Sequence, residues 1–456
     1  MSEKSTLLMT SNEINAITVK CIDFQGGHVI SISNSSGSFE LVADGFSFPT
    51  SLTFDEAGIT YVAESGLPFG GAPAGGRIWR IDSDGNRTLL LEGLRPPVNG
   101  LTFHQGSLYI SEGGHPGCIS RLDFDGKQTV ILDNLPGPGN YHTNMVAFGP
   151  DGKLYFSQGS MTNTGVVGLD AYELGWLRRL PHAHDIPGYE IVLADVNFET
   201  SNPLVDIPNA RIQTGAFAPF GMQLEPGQRI APKVPCTAAV MRCNLDGSDL
   251  ELVAWGLRNA YGLGFLPDGR LLAVDQGADD RGSRPVGNVP DLLFEVHENA
   301  WYGWPDYISG DSITDPKYQP TRGATPEFVL ANHDELPPPE TALFRFQTHV
   351  AAVKFDIAPS TLQNWAGQIF IALFGDEAPM TAPPGPQVGR SVARIDPGDW
   401  SLHPFIQEPL ARPIDVRFHP NDGGIYMLDF GKFEMHAERG VIAEAQSGRL
   451  WRYILN

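Results

Sequence analysis

Apolar and polar residues alternate in short bursts along this chain, and the bursts come in pairs separated by turns built on Gly, Asp or Pro. Six such pairs stand out: "LTFDEAGITYVAES", "LTFHQGSLYISEG", "VAFGPDGKLYFSQG", "LGFLPDGRLLAVDQG", "VKFDIAPSTLQNWAGQIFIALFG" and "VRFHPNDGGIYMLDFG". A period of two is the signature of a strand with one face packed and one face turned away, so each pair predicts a β-hairpin. The second strand of each pair ends in small or acidic residues. Each pair is followed by a further strand of similar form, in "RIWRIDSDG", "CISRLDFDG", "AVMRCNLDG", "DLLFEVHEN", "SVARIDPGD" and "RLWRYIL".

The repeat sets the architecture. Its marker phenylalanines, Phe54, Phe103, Phe148, Phe265, Phe355 and Phe418, are first about the length of one four-stranded blade apart and then further, which calls for insertions. A hairpin cannot bury its apolar face alone, so repeated sheets have to stack around an axis and leave a central channel. The pattern predicts an all-β, six-bladed β-propeller with four-stranded blades, a single domain over residues 1–456 with residues 1–14 flexible. The segment "AITVKCIDF" is expected to supply a strand that closes the ring with the C-terminal blade. The longest insertion, about residues 161–236 after the third inner hairpin, has many Gly, Pro and Asn and little alternation. A loop of that length is expected to be an ordered lid or channel wall.

Composition narrows the partners. Thirty-one Lys and Arg against 53 Asp and Glu give a formal net charge of −22, which repels nucleic acid and anionic membranes. No apolar run reaches the ~20 residues of a membrane span, and the N-terminus lacks a signal-peptide core. A soluble protein is expected, periplasmic or secreted if a leader has been trimmed. Cys21, Cys118, Cys236 and Cys243 lack zinc-ligand spacing and read as buried thiols, with Cys236 and Cys243 as an alternative disulfide in an oxidising compartment.

Candidate chemistry collects at one position in the repeat, the residues just ahead of each first strand. Asn99, His142, Arg258 with Asn259, His349 and Arg412 occupy it in five blades, and Arg390 lies in the fifth. These positions point to one mouth of the channel. Guanidinium offers a planar fork of donors for a carboxylate or quinone oxygen, although most arginines are structural and a blade-to-blade ion pair is the alternative. A neutral imidazole suits proton abstraction, although a lone histidine is more often structural. The turn "DQGADD" combines backbone carbonyls with carboxylates, surroundings that Ca²⁺ takes, but an Asx-type turn is the commoner use of such residues.

"GLRNAYGLGFLPDGRLLAVDQG", followed by "WYGWPDY", resembles the soluble quinoprotein glucose dehydrogenase and sorbosone dehydrogenase family, six-bladed propellers that use pyrroloquinoline quinone with Ca²⁺. The similarity runs from about Phe39 to Ile454. It implies that His142 is the catalytic base, that Arg258 and Asn259 contact the quinone, and that the carbonyls of Gly277 and Ala278 hold the Ca²⁺. Cofactor contacts are expected from the rim residues Asn99, His349 and Arg412 as well, near the first of which the family has a glutamine, and from Arg390, which stands where the family has a lysine. Tyr141 stands where the family often supplies an aspartate beside the base. The implied activity is oxidation of a sugar or related polyol or aldehyde, with hydride passing to the quinone and Arg258 stabilising the reduced ring. Electrons then leave to an acceptor, a small redox protein or a quinone. A Ca²⁺-dependent sugar lactonase and a non-enzymatic ligand-binding propeller are the alternatives. The lactonase is disfavoured by rim arginines and a histidine in place of an acidic cluster.

Overall fold

Six antiparallel sheets stand around a central axis in the computed structural model, which describes residues 37–436 and 439–455. Blade 1 comprises Pro49–Phe54, Thr60–Glu64, Gly76–Ile81 and Arg87–Leu94. Blade 2 comprises Val98–His104, Ser107–Glu112, Gly117–Asp123 and Gln128–Leu135. Blade 3 joins Thr143–Phe148 and Leu154–Gln158 to Ala239–Cys243 and Glu251–Trp255, with Ala300–Trp301 added in parallel at its edge. Blades 4 and 5 begin with Ala260–Phe265 and Ala352–Ile357, and blade 6 with Pro413–Phe418. The protein is a six-bladed β-propeller, as the repeat predicts.

The ring closes in blade 6. Its outermost strand is Gly37–Phe46, which runs antiparallel to Gly448–Leu455. The expected closing segment "AITVKCIDF" lies outside the described residues; the strand seen on this blade comes from the stretch after it.

The acidic endings of the second strands have a structural use. Asp275 accepts the backbone N–H groups of Arg258 and Asn259 at 3.2 and 2.6 Å, and Asp429 accepts those of Ala411 and Arg412 at 2.7 and 2.9 Å. Glu112 accepts from Arg95 N at 2.7 Å and Glu64 from Ser47 N at 2.6 Å. Each acid thus folds back on the segment entering the first strand of its own blade. That segment would otherwise carry buried, unpaired N–H groups, each costing roughly 1–3 kcal/mol. The same bonds fix the backbone at the rim positions singled out above.

The marker phenylalanines all line the opposite opening of the channel, a 520 Å³ cavity. The insertion is ordered and built from a short helix, Leu169–Glu173, a hairpin of Asn197–Ser201 with Arg211–Gly215, and the pair Ile191–Val192 with Arg229–Ile230. A buried ion pair, Arg284 to Asp306 at 2.7 Å, ties it to blade 4: Arg284 Nη1 also donates to Thr164 O, and His333 meets Asp306 at 2.9 Å. Cys118, Cys236 and Cys243 are buried free thiols, so the last two do not pair. No helix among the described residues is long and apolar enough to cross a membrane.

Candidate functional site

All the rim residues but Arg412 meet in a two-lobed cavity at one mouth of the channel. The larger lobe encloses 760 Å³ and the smaller 180 Å³, and they share Tyr141, Gln276, Glu377 and neighbouring residues. Asn99, His142 and Asn259 line the larger lobe; Arg258, Gly277, Ala278 and His349 line the smaller. The insertion contributes Glu173 and Leu174, so it does form part of the wall. A second hairpin, Phe433–His436 with Gly440–Ala443, and the rings of Phe374 and Phe430 complete the larger lobe.

His142 is half-buried in this wall, and neither of its ring nitrogens has a hydrogen-bond partner among the described residues. Its backbone is held instead, with Gly159 N donating to His142 O at 2.8 Å. Burial disfavours the imidazolium and pushes its pKa down to about 4. The ring is therefore neutral at physiological pH, with a free lone pair.

Beside it runs a ladder of amides. Asn99 Nδ2 donates to Asn144 Oδ1 at 3.2 Å, Asn144 Nδ2 to Asn259 Oδ1 at 2.8 Å, and Asn259 Nδ2 to Gln276 Oε1 at 2.7 Å. All the bonds point the same way, which lets each polarise the next. The ladder ends in an unspent acceptor, Asn99 Oδ1, and an unspent donor, Gln276 Nε2, both on residues of the cavity wall. Each end suits a ligand hydroxyl, one as acceptor and the other as donor. Asn144 and Gln276 do not figure in the sequence reading. Asn144 had a signal, because it lies two residues after His142 and so on the same side of the strand.

Arg258 is buried at 3 % exposure and fully occupied. Nε donates to Asn163 O at 3.1 Å; Nη1 faces the carbonyls of Gln276 and Gly277; Nη2 faces Asn163 Oδ1 and Asp279 Oδ2, both at 2.7 Å, and the Tyr141 hydroxyl. The guanidinium also stacks 4.2 Å from the Tyr141 ring centroid. Asn163 comes from the insertion, 95 residues away in sequence, and nothing local announces it.

Arg281, unremarked in the sequence, joins the same group: Nε reaches Asp279 Oδ2 at 3.0 Å and Nη2 reaches the Tyr141 hydroxyl at 2.8 Å. Tyr141 in turn donates to Asp279 at 3.0 Å. Burial works to raise the Asp279 carboxyl, but Arg258 and Arg281 overcome it and hold it below the usual carboxylate range. Two arginines against one aspartate leave this trio one unit positive.

The remaining expected cations stand behind the wall. Arg390 grips Glu434 with both Nη atoms at 2.7 and 2.8 Å, and Arg412 reaches the same carboxylate at 2.9 Å while its other donors serve the carbonyls of Phe433 and Asp376. Neither lines the cavity. Both are thus spent on structural ion pairs, Arg390 from blade 5 across to the hairpin of blade 6 and Arg412 within blade 6. Under the floor, Lys354 donates to Thr50 O at 2.6 Å and to Asn99 O, and burial lowers its pKa to about 7. Glu377, which lines both lobes, is pushed up to about 7 by burial.

The expected metal turn is arranged for something else. The Gly277 carbonyl accepts from Arg258, and Gly277 N donates to Asp291 at 2.9 Å. No group of three or more His, Cys, Asp or Glu side chains able to hold a metal ion occurs among the described residues. A cation brought to this carbonyl would meet a guanidinium already on it.

Comparison with solved structures supports the same fold. The PQQ-bound aldose sugar dehydrogenase of Streptomyces coelicolor superposes with a TM-score of 0.55 at 16 % identity, over 92 % of this chain and 99 % of that one. The holo PQQ domain of pyranose dehydrogenase from Coprinopsis cinerea gives 0.54 at 12 %, over 92 % and 96 %. The apo form of the soluble aldose sugar dehydrogenase of Escherichia coli gives 0.53 at 12 %, over 92 % and 100 %. At such identities the likeness establishes the propeller. No protein-family model and no curated sequence matches the chain.

Proposed function

We propose that this protein is an oxidoreductase that removes hydrogen from a hydroxyl of a sugar or related polyol in the larger lobe, with His142 as general base and pyrroloquinoline quinone as the electron-accepting cofactor. The observation that carries the reading is His142 itself: a neutral imidazole with both nitrogens unspent, in the wall of a 760 Å³ cavity beside an amide ladder with one free acceptor and one free donor.

The residues present fit a flat anionic quinone. Phe374, Phe430 and Phe433 give the larger lobe aromatic walls, and the positive trio of Arg258, Arg281 and Asp279 borders the smaller lobe. Bound there, the quinone would supply the two-electron acceptor that no side chain of this protein can provide. The chain's own part is separate. Asn99 Oδ1 and Gln276 Nε2, at opposite ends of the ladder, each offer a contact to a different hydroxyl of the substrate. His142 takes the hydroxyl proton on a ring nitrogen. Arg258 positions Tyr141 and Asp279 and is not free to stabilise the ring, a departure from the role the resemblance implies. The Gly277 carbonyl does not fit Ca²⁺, because Arg258 already donates to it, and no step depends on the ion.

Titrating the protein with pyrroloquinoline quinone, with and without Ca²⁺, and then following dye reduction over a panel of aldoses and polyols tests this reading. His142→Ala is expected to retain the quinone and lose about 10²–10⁴ in turnover, the usual range for a general base. Failure of the wild-type protein to retain the quinone, or full turnover by the variant, overturns the proposal.

A further inference from the structure

Each arginine near the mouth can be judged by counting what its five N–H groups already do. Arg258 has none to spare, since its Nε, Nη1 and Nη2 face six protein oxygens. Arg390 spends both Nη atoms on Glu434, and Arg412 is 1 % exposed and shares that carboxylate. Arg281 differs. Its Nε and one Nη2 hydrogen go to Asp279 and Tyr141, which lie along one edge of the guanidinium, and Nη1 donates to nothing among the described residues. Three of its five N–H groups are unspent, and they include the Nη1–Nη2 edge that pairs with a carboxylate through two parallel bonds.

We propose that Arg281 is the residue that anchors a carboxylate of the bound ligand, in the smaller lobe, while Asp279 and Tyr141 hold its guanidinium plane in place. This rests on the reading of the mouth as a ligand site and assigns its anionic subsite. The lobe's 180 Å³ suits one end of a ligand and not a whole cofactor. Asp279 is shared between two guanidiniums, and of the lobe's other two carboxyls Asp291 is turned to the backbone N–H groups of Gly277 and Ala352 while burial pushes Glu377 up to about 7. Tyr141, which replaces the aspartate that the resemblance would place before the base, thereby gains a purpose: its hydroxyl bridges Arg258, Arg281 and Asp279. An aspartate in its place would bring a second negative charge toward the pair and neutralise the subsite.

The test uses the full chain and two probes in equilibrium dialysis: pyrroloquinoline quinone, and benzene-1,3,5-tricarboxylate, an aromatic tricarboxylate that cannot accept electrons. Arg281→Gln is expected to weaken both at least tenfold, Arg281→Lys to weaken them less because it keeps the charge without the fork, and Arg390→Gln to change neither. Circular dichroism and melting curves check that each variant is folded, and Arg281→Lys serves if Arg281→Gln is not. Unchanged affinity in both Arg281 variants, with the wild type binding, overturns the assignment of Arg281 and leaves the quinone reading standing. Arg281-dependent binding of the tricarboxylate without binding of the quinone does the reverse. Binding of neither probe by the wild type overturns both.

Discussion

If burial holds His142 neutral, the protein must become less stable in mild acid by an amount that this one ring explains. The folded pKa is about 4 and the unfolded value 6.5. Below pH 6.5 the unfolded chain binds a proton that the folded chain refuses until pH 4, so His142 costs nothing above that window and stability falls as pH drops through it. At pH 5 the difference in proton uptake amounts to roughly 2 kcal/mol, and at pH 7.5 to about zero. Because the ring still borders the cavity, water there makes the first figure an upper value. The assay is urea unfolding of wild type and His142→Gln at pH 7.5 and pH 5. Other buried groups that titrate nearby, Glu377 and Asp275 among them, contribute to both proteins and drop out of the comparison. The wild type should lose up to about 2 kcal/mol more than the variant between the two pH values. Parallel losses would mean that the ring is hydrated or partnered, and the case for a free, neutral base would fall with it.

Two further outcomes follow from the packing. Asp306 accepts Arg284, His333 and the backbone N–H groups of Val329 and Leu330 in a fully buried position, so Asp306→Ala should cost roughly 3–5 kcal/mol by stranding Arg284, as measured by chemical unfolding. Asn144→Leu removes the middle of the amide ladder, leaving an unpaired donor on Asn99 and an unpaired acceptor on Asn259; a loss of roughly 1–3 kcal/mol is expected, together with weaker binding of any hydroxyl ligand in a sugar titration.

The blades were legible because alternation and turn residues are local properties, and six near-copies reinforce one another. The rim was legible for the same reason: residues such as His142 and Asn259 hold the same register in different blades, and the cavity collects them. What escaped is what depends on partners distant in sequence. Asn163 enters from an insertion without periodicity, and Arg281 sits in an acidic turn that reads equally well as a metal loop. Arg412 occupies a rim position and Arg390 lies in the neighbouring blade, but both turn to Glu434, a residue on a hairpin that the repeat does not contain. The carbonyl of Gly277 looked available in sequence because a backbone oxygen carries no sign of the guanidinium already resting on it. The closing strand escaped because its alternation, Phe39, Leu41 and Ala43, is short and is set among polar residues.

The clasp of Gly37–Phe46 on Gly448–Leu455 has a consequence for how the cavity comes into being. Joining these strands closes a loop of about 400 residues, which by chain statistics costs roughly 5 kcal/mol of entropy. Ile414, Phe430 and Phe433 from blade 6 line the larger lobe together with Asn99 and Asn259, so the clasp that completes blade 6 also braces one wall of the lobe. A ligand that spans the lobe would therefore act as a rivet on the ring, and occupancy would be felt at the seam between the first and last described strands as a slower unzipping of that sheet.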